Sequence, residues 1–251
     1  MDLVEQLGAT FVDDLCRLAG ALERAGHPFA IIGATALLLH DVDLPRTTRD
    51  LDLAVTVSGG LEAIRPMLGK AGLIDTAVAH RFRTADGIEV DILAMDPMAT
   101  RPSEIQLPDG DWVDAVALPE AVAHVVELAV GTRGVPGAPL CLLIANKLHA
   151  ARSRARPHDL EDACAAMAAH ESTGTRRYEI DYETHPALRF ETGGAFLAGR
   201  DVAGLVESET KAAIDSSIVS LLQDARMSDR FAEGLERRDL VLAYRMGLRA
   251  G

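Results

Sequence analysis

Apolar residues recur along this chain with two periods, and the changes between them mark out its elements. From Asp2 to Arg24, Val4, Leu7, Phe11, Leu15, Leu18 and Leu22 return every three or four residues, which predicts an amphipathic helix. Asp2 and Glu5 have capping-box spacing at its start, and Gly26 and Pro28 close it. Phe29–Ile32 is continuously apolar and reads as a buried strand. Gly33 turns the chain into a short helix over Ala34–His40, and a polar loop over Asp41–Arg49 leads to a strand over Asp50–Val57. A helix over Leu61–Ala71 is closed by Gly72. His80–Thr84 and Ile88–Leu93 flank Ala85-Asp86-Gly87 and predict a hairpin. In it Ile88, Val90 and Ile92 share one face and Glu89, Asp91 and Leu93 the other. A strand is expected over Trp112–Leu118 and a helix over Pro119–Val130.

The stretch Gly131–Pro139 is rich in Gly and Pro and divides the chain into residues 1–130 and 131–251. Beyond it the 3.6-residue period dominates, predicting helices over Leu140–Ser153, Leu160–His170, Val202–Leu222 and Phe231–Leu248. The alternation Tyr178-Glu179-Ile180-Asp181-Tyr182 reads as one further strand. Strands interleaved with helices and followed by helices alone place the chain in the α+β class, a mixed sheet flanked by helices with a mostly helical C-terminal part. No internal repeat or low-complexity segment interrupts this.

Composition narrows the class. With 48% apolar residues in 251, the chain can bury one core with additions or two small ones. A net charge of −13 excludes a general nucleic-acid coat while leaving room for a local basic groove. Cys16, Cys141 and Cys164 have no metal-ligand spacing and read as reduced core thiols in a cytoplasmic protein. The N-terminus is acidic and amphipathic, unlike a signal peptide. No apolar run reaches the ~18 residues of a membrane span.

The chemistry concentrates in Asp50-Leu51-Asp52-Leu53. On a strand the leucines enter the core while both carboxylates project from the other face, roughly 7 Å apart at Cα. Two such oxygen donors suit Mg²⁺, which takes a few carboxylates plus substrate phosphates. Asp91, on the polar face of the hairpin, is the candidate third. Three carboxylates can hold two ions about 3.5–4 Å apart, the geometry that stabilises both attacking and leaving oxygens in nucleotidyl transfer. Alternating Asp and Leu is also what an ordinary solvated strand face shows. Gly33, between a strand and a helix, lets backbone approach phosphate. Thr35 offers a hydroxyl there, and Arg46 and Thr47 precede the carboxylates as candidate triphosphate contacts. Lys147 lies on the stripe of Leu143 and Ile144 that should be buried, so it either snorkels to solvent or points into a site. Asp159 pairs with it, orients a nucleophile or complements a helix N-terminus. The run from Lys147 to His158, with His149, Arg152 and Arg154, offers a grip for a polyanion.

Strand, Gly33-Ala34, short helix, Arg46-Thr47-Thr48-Arg49, Asp50-Leu51-Asp52 and Val90-Asp91 together resemble the DNA polymerase beta-type nucleotidyltransferase superfamily. Its usual Gly-Gly or Gly-Ser is Gly33-Ala34 here, which weakens any side-chain role at the second position but not the backbone one. The block Leu142-Leu143-Ile144-Ala145-Asn146-Lys147, then Ala150, Arg152, Arg154 and His158-Asp159-Leu160-Glu161-Asp162, resembles the AbiEii/AbiGii-type toxin nucleotidyltransferases. Arg46, Thr48, Asp50 and Asp52 match that group's Arg-x-Thr-x-Asp-x-Asp. The resemblance covers about Leu15 to Ala169.

It implies a nucleotidyltransferase-type sheet and transfer of an NMP group from an NTP, with Mg²⁺ on Asp50, Asp52 and Asp91. Lys147 and Asp159 join these three as catalytic residues, while Gly33, Ala34, Thr35, Arg46 and Thr47 contact the nucleotide. It also implies an acceptor such as tRNA or protein and a cognate antitoxin, as in type IV toxin–antitoxin systems. A small-molecule (antibiotic) nucleotidyltransferase shares the core motif. A catalytically silent binding module or antitoxin is the alternative from a different class.

Overall fold

The computed structural model describes residues 7–48, 50–98, 104–106, 110, 112–152 and 157–251. The chain forms two compact units, Met1–Asp41 with Arg46–Pro139, and Val42–Pro45 with Leu140–Gly251.

The first unit runs α1 (Ala9–Ala25), β1 (Phe29–Ile32), α2 (Gly33–Leu39), β2 (Asp50–Thr56), α3 (Gly60–Lys70), β3 (Ile74–Asp75), β4 (Arg81–Arg83), β5 (Glu89–Met95), β6 (Glu104–Gln106), β7 (Trp112–Asp114), α4 (Leu118–Ala123), β8 (Val126–Val130) and β9 (Arg133–Gly137). Seven strands make one mixed sheet in the order β3-β4-β5-β2-β1-β9-β8, and β6 pairs with β7 separately. The centre is apolar by sequence and buried in fact: Ala30, Ile31, Leu51, Leu53, Val55, Val90 and Ile92 are all at 1% exposure or less. α1 adds Leu15, Leu18 and Leu22, and ends at Gly26, whose left-handed φ of 72° lets its N–H cap the Glu23 carbonyl. The expected helix start at Asp2 lies outside the described residues.

β2 and β5 run parallel, with Asp50 opposite Glu89, Asp52 opposite Asp91 and Thr56 opposite Met95. β4 and β5 form the expected antiparallel hairpin, with Arg81 opposite Asp91.

The helix expected over Pro119–Val130 stops at Ala123, and Val126–Val130 is a strand paired with Arg133–Gly137. The Gly- and Pro-rich stretch is therefore part of the sheet. Its glycines accommodate side chains of β8: an added Cβ on Gly137 would lie 2.0 Å from Leu128 Cδ1, and one on Gly134 2.3 Å from the Glu127 carboxyl carbon. Turn-forming residues thus read as a linker where they make room for a neighbouring strand.

The second unit runs α5 (Leu140–Ala150), α6 (Pro157–Ala169), α7 (Gly193–Ala203), α8 (Ser208–Leu221), the small β10 (Arg230–Ala232) and β11 (Leu235–Glu236) pair, and α9 (Arg237–Ala250). The single helix expected over Val202–Leu222 is two, broken around Gly204. Tyr178–Tyr182 is not a strand; a 3₁₀ turn occupies Arg176–Glu179. Buried Tyr244 on α9 donates to the Cys141 carbonyl of α5 at 3.2 Å. Burial pushes the Cys141 and Cys164 thiols up to about 12 each, so both are inert core groups.

α7 and α9 touch backbone to backbone. An added Cβ on Gly199 would lie 1.9 Å from the Tyr244 carbonyl oxygen, and one on Gly247 1.9 Å from the Phe196 oxygen. Alanine at either position gains helix propensity of roughly 1 kcal/mol but forces the helices apart, an overpacking cost of about 1–3 kcal/mol or more where backbone must move. Gly199→Ala and Gly247→Ala should each lower the melting temperature, by roughly 2–4 °C per kcal/mol lost. An unchanged or raised melting temperature would mean that the helices are not in contact at these glycines.

Candidate active site

The candidate site is one face of the sheet at β2 and β5. Leu51 and Leu53 are 1% exposed, while Asp50 and Asp52 point to the opposite, half-exposed face. Residues opposite each other on adjacent strands project to the same side, so Asp52 and Asp91 share that face. The sheet therefore brings Asp50, Asp52 and Asp91 to one surface.

Each carboxylate is held differently. The Thr48 hydroxyl donates to Asp50 Oδ1, fixing the first. Asp52 sits against Gly33, where an added Cβ would lie 1.9 Å from Asp52 Oδ2 and where φ is +67°. Both facts require glycine at the β1–α2 junction. Asp91 is clamped by Arg81 of β4, Nε donating to Oδ1 and Nη2 to Oδ2, each at 2.7 Å. Arg81 Nη1 also lies 3.1 Å from Glu89 Oε2. The hydrogen bonds to Asp91 raise the Arg81 pKa above its ordinary value despite partial desolvation, with Glu89 and Asp50 adding to the effect.

The remaining expected contacts are distributed unevenly. Thr35 does not face outward: it is fully buried and its hydroxyl donates to the Asp50 carbonyl at 2.8 Å, so it positions β2 instead of reaching a phosphate. The Ala34 methyl is in the core. Arg46 is half-buried and Thr47 exposed. Thr47 and Thr48 border an open cavity of about 650 Å³ shared with Phe11, Asp86, Gly87 and Ile88, within the size range of small-molecule sites. Arg49 lies outside the described residues.

A second charge cluster lies in the C-terminal unit. Lys147 is 9% exposed, and its amine donates to Asp159 Oδ1 at 2.7 Å and lies 3.0 Å from Asp162 Oδ2. Of the readings open for Lys147 and Asp159, pairing is observed. Burial alone would lower the Lys147 pKa, but the two carboxylates outweigh it and the net shift is upward. His149 is also buried, bonding Ser217 Oγ through Nδ1 at 2.8 Å and Arg152 through Nε2 at 2.9 Å. The basic run is thus no exposed grip at Lys147 or His149; Arg154 lies outside the described residues. Asp162 was missed as the second partner of Lys147, although its position three residues after Asp159 puts both on one helix face.

The family model described as "Nucleotidyl transferase AbiEii toxin, Type IV TA system" matches residues 17–235. The chain belongs to this family. It is a nucleotidyltransferase of the AbiEii type. No curated protein matches the sequence. Among solved structures, an antigenic nucleotidyltransferase-like protein from Paracoccidioides brasiliensis shares 19% identity, with 64% of this chain and 77% of that one covered and a TM-score of 0.44. ANT(2″)-Ia in complex with adenylyl-2″-tobramycin shares 16% over 68% of this chain and 94% of that one, at 0.43. A nucleotidyltransferase described as putative, from H. pylori, shares 15% over 96% and 92%, at 0.36. The family assignment stands on the matched residues and not on these distant likenesses.

For an AbiEii-type enzyme the donor set at β2 fits a hard divalent cation in part. Asp50 and Asp52 give two carboxylates side by side, enough for Mg²⁺ that keeps waters and substrate phosphates. Asp91, expected as the third ligand, is engaged by Arg81 through both oxygens, each of which keeps a further lone pair. Among the described residues no three His, Cys, Asp or Glu groups come together to hold a metal. Arg81 is the residue the sequence reading missed; Arg81-Phe82-Arg83 facing Glu89-Val90-Asp91 across the predicted hairpin was its signal.

Lys147→Met would leave two buried carboxylates without their cation, at a cost of about 3–5 kcal/mol. A raised lysine pKa in the folded state means the pair's contribution is complete below the ordinary value of 10.5 and is lost as pH rises through the higher folded value. The melting-temperature gap between wild type and Lys147→Met should therefore hold from neutral pH up to about 10.5 and shrink as pH rises from there through the folded value. No gap at neutral pH would contradict the buried pair.

Proposed function

We propose that this AbiEii-type protein transfers an NMP group from an NTP, with Mg²⁺, to a cellular acceptor, and that it is the toxin half of a type IV toxin–antitoxin pair acting in the cytoplasm. The observation that carries this reading is the paired carboxylate face of β2, set against a glycine that leaves no room for a side chain. Asp50 and Asp52 are the residues that would hold the metal, and Leu51 and Leu53 anchor the strand beneath them. A divalent ion held there would supply charge neutralisation for the triphosphate and its leaving group. Thr48 orients Asp50, and Thr35 fixes the strand backbone at the same residue. Backbone at Gly33 and Ala34, with Arg46 and Thr47, is the proposed nucleotide-contacting set.

The resemblance assigns Lys147 and Asp159 to the same reaction, and what they form is a buried ion pair within the C-terminal unit. A polyanionic acceptor such as tRNA must be gripped by groups other than Lys147 and His149, since both are buried. Free Cys16, Cys141 and Cys164 are consistent with a reducing compartment. Among the described residues no helix is long and apolar enough to cross a membrane.

The test is incubation with each α-labelled NTP, Mg²⁺ and total cellular RNA or lysate. Label on a macromolecule is expected; label only on a small molecule such as an antibiotic points to the resistance-enzyme chemistry, and no label to a binding module. Asp50→Asn and Asp52→Asn remove a charge the metal needs and should each lower transfer at least ~10²-fold, a few kcal/mol at 1.36 kcal/mol per tenfold. Both variants should remain folded, because neither carboxylate is in the core. Full activity in either folded variant would refute the site.

A further inference from the structure

Residues 176–192 precede α7 and are pinned to the C-terminal unit from inside. Ile180 and Leu188 are buried. The Tyr182 hydroxyl donates to the Arg177 carbonyl at 3.0 Å, and an added Cβ on Gly193, at the start of α7, would lie 2.6 Å from that hydroxyl. On this anchored base three aromatic rings stand together. Phe190 packs on Tyr178 at 5.1 Å and on Tyr182 at 6.3 Å between centroids, both tilted. The whole chain has one Trp, three Tyr and six Phe, so a large share of its aromatic residues is gathered here. Yet Tyr178 is 76% exposed and Phe190 43%. Rings left in water forgo the stabilisation that burial would bring, and a cluster of them marks an interaction surface.

Charge on this segment is sorted by sign. Arg176 pairs with Asp201 and Glu171, Arg177 donates to the Ala168 and His170 carbonyls, and Arg189 pairs with Asp239. All three arginines are thereby engaged within the C-terminal unit. The acids are turned outward: Glu179, Asp181, Glu183 and Glu191 are exposed, and none forms an ion pair among the described residues. Burial holds the Tyr182 hydroxyl above its ordinary pKa; Arg177 opposes this and the charge of Glu191 adds to it, which puts Glu191 beside the rings. Uncompensated carboxylates around aromatic rings repel a phosphate backbone and attract cations.

We propose that this patch is a docking surface for a protein partner, whose arginine or lysine side chains stack on Tyr178 and Phe190 and meet the surrounding carboxylates. A guanidinium satisfies both halves of the surface, the ring faces by cation–π contact and the carboxylates by forked hydrogen bonds. Tyr and Arg are also residues on which interface energies concentrate. The surface lies wholly in the C-terminal unit and does not depend on the Asp50 and Asp52 assignment.

The probe is a fluorescein-labelled peptide of Arg-Leu-Ser repeats, with binding to the full-length protein read by fluorescence anisotropy. The same peptide with Glu in place of Arg, and a labelled oligouridylate, are run beside it. The arginine peptide should bind best. Tyr178→Ser and Phe190→Ser should each weaken it at least about fivefold, for loss of a cation–π and packing contact. Glu179→Gln combined with Glu191→Gln should weaken it at least about threefold. Tyr178 is open to water, so Tyr178→Ser leaves the core intact, and the glutamine pair keeps the test if Phe190→Ser does not fold. Arginine-peptide affinity unchanged in the aromatic variants would mean diffuse attraction to an acidic protein and would overturn the patch. So would no binding of that peptide, equal binding of the glutamate peptide, or tighter binding of the oligouridylate, which would make this a nucleic-acid surface.

Discussion

The parallel register between β2 and β5 is the constraint on which the site depends. All seven residues of β2 are paired with β5, and Asp52 falls opposite Asp91. A slip of one residue would turn Asp50 and Asp52 into the core and Leu51 and Leu53 out to water. The apolar alternation thus fixes the chemistry: Leu51, Leu53, Val90 and Ile92 can be buried only if the carboxylates share the other face. β1 closes the arrangement from the other edge, placing Gly33 immediately after Ile32, whose partner is Asp52. The close approach of Gly33 to Asp52 is a consequence of that pairing.

The three carboxylates are alike in sequence and unlike in setting. Thr48 orients Asp50, Gly33 gives Asp52 room, and Arg81 neutralises Asp91. The two charge clusters of the protein also follow different rules. At the β2–β5 face Asp50 and Asp52 are half-exposed, while Arg81 balances Asp91. At Lys147 the acids are buried, and the cation is what makes their burial tolerable. In the second case pairing rather than accessibility decides the state of the lysine.

Where one residue type determines an outcome locally, the sequence was legible. Period-2 alternation around Asp50, Asp52 and Asp91 placed all three on strands, and Gly26 and Gly33 marked real junctions. The block around Lys147 and Asp159 led to the family whose model matches residues 17–235. What was not legible depended on neighbours distant in sequence. Gly134 and Gly137 signal a turn locally, but they are strand residues because Glu127 and Leu128 need their space. Thr35 next to a glycine turn looked like a phosphate ligand until the Asp50 carbonyl took its hydroxyl. The basic run looked like a surface because its partners, Asp162 and Ser217, arrive from later helices.

The central claim is that Asp50 and Asp52 form the metal and triphosphate end of a nucleotidyltransferase site. The most direct measurement is a crystal structure with Mn²⁺ and a non-hydrolysable NTP, with anomalous scattering used to locate the metal. The account requires the anomalous peak on carboxylate oxygens of Asp50 and Asp52, with the triphosphate beside Gly33. A metal–nucleotide complex bound elsewhere, with this face bare, would contradict it.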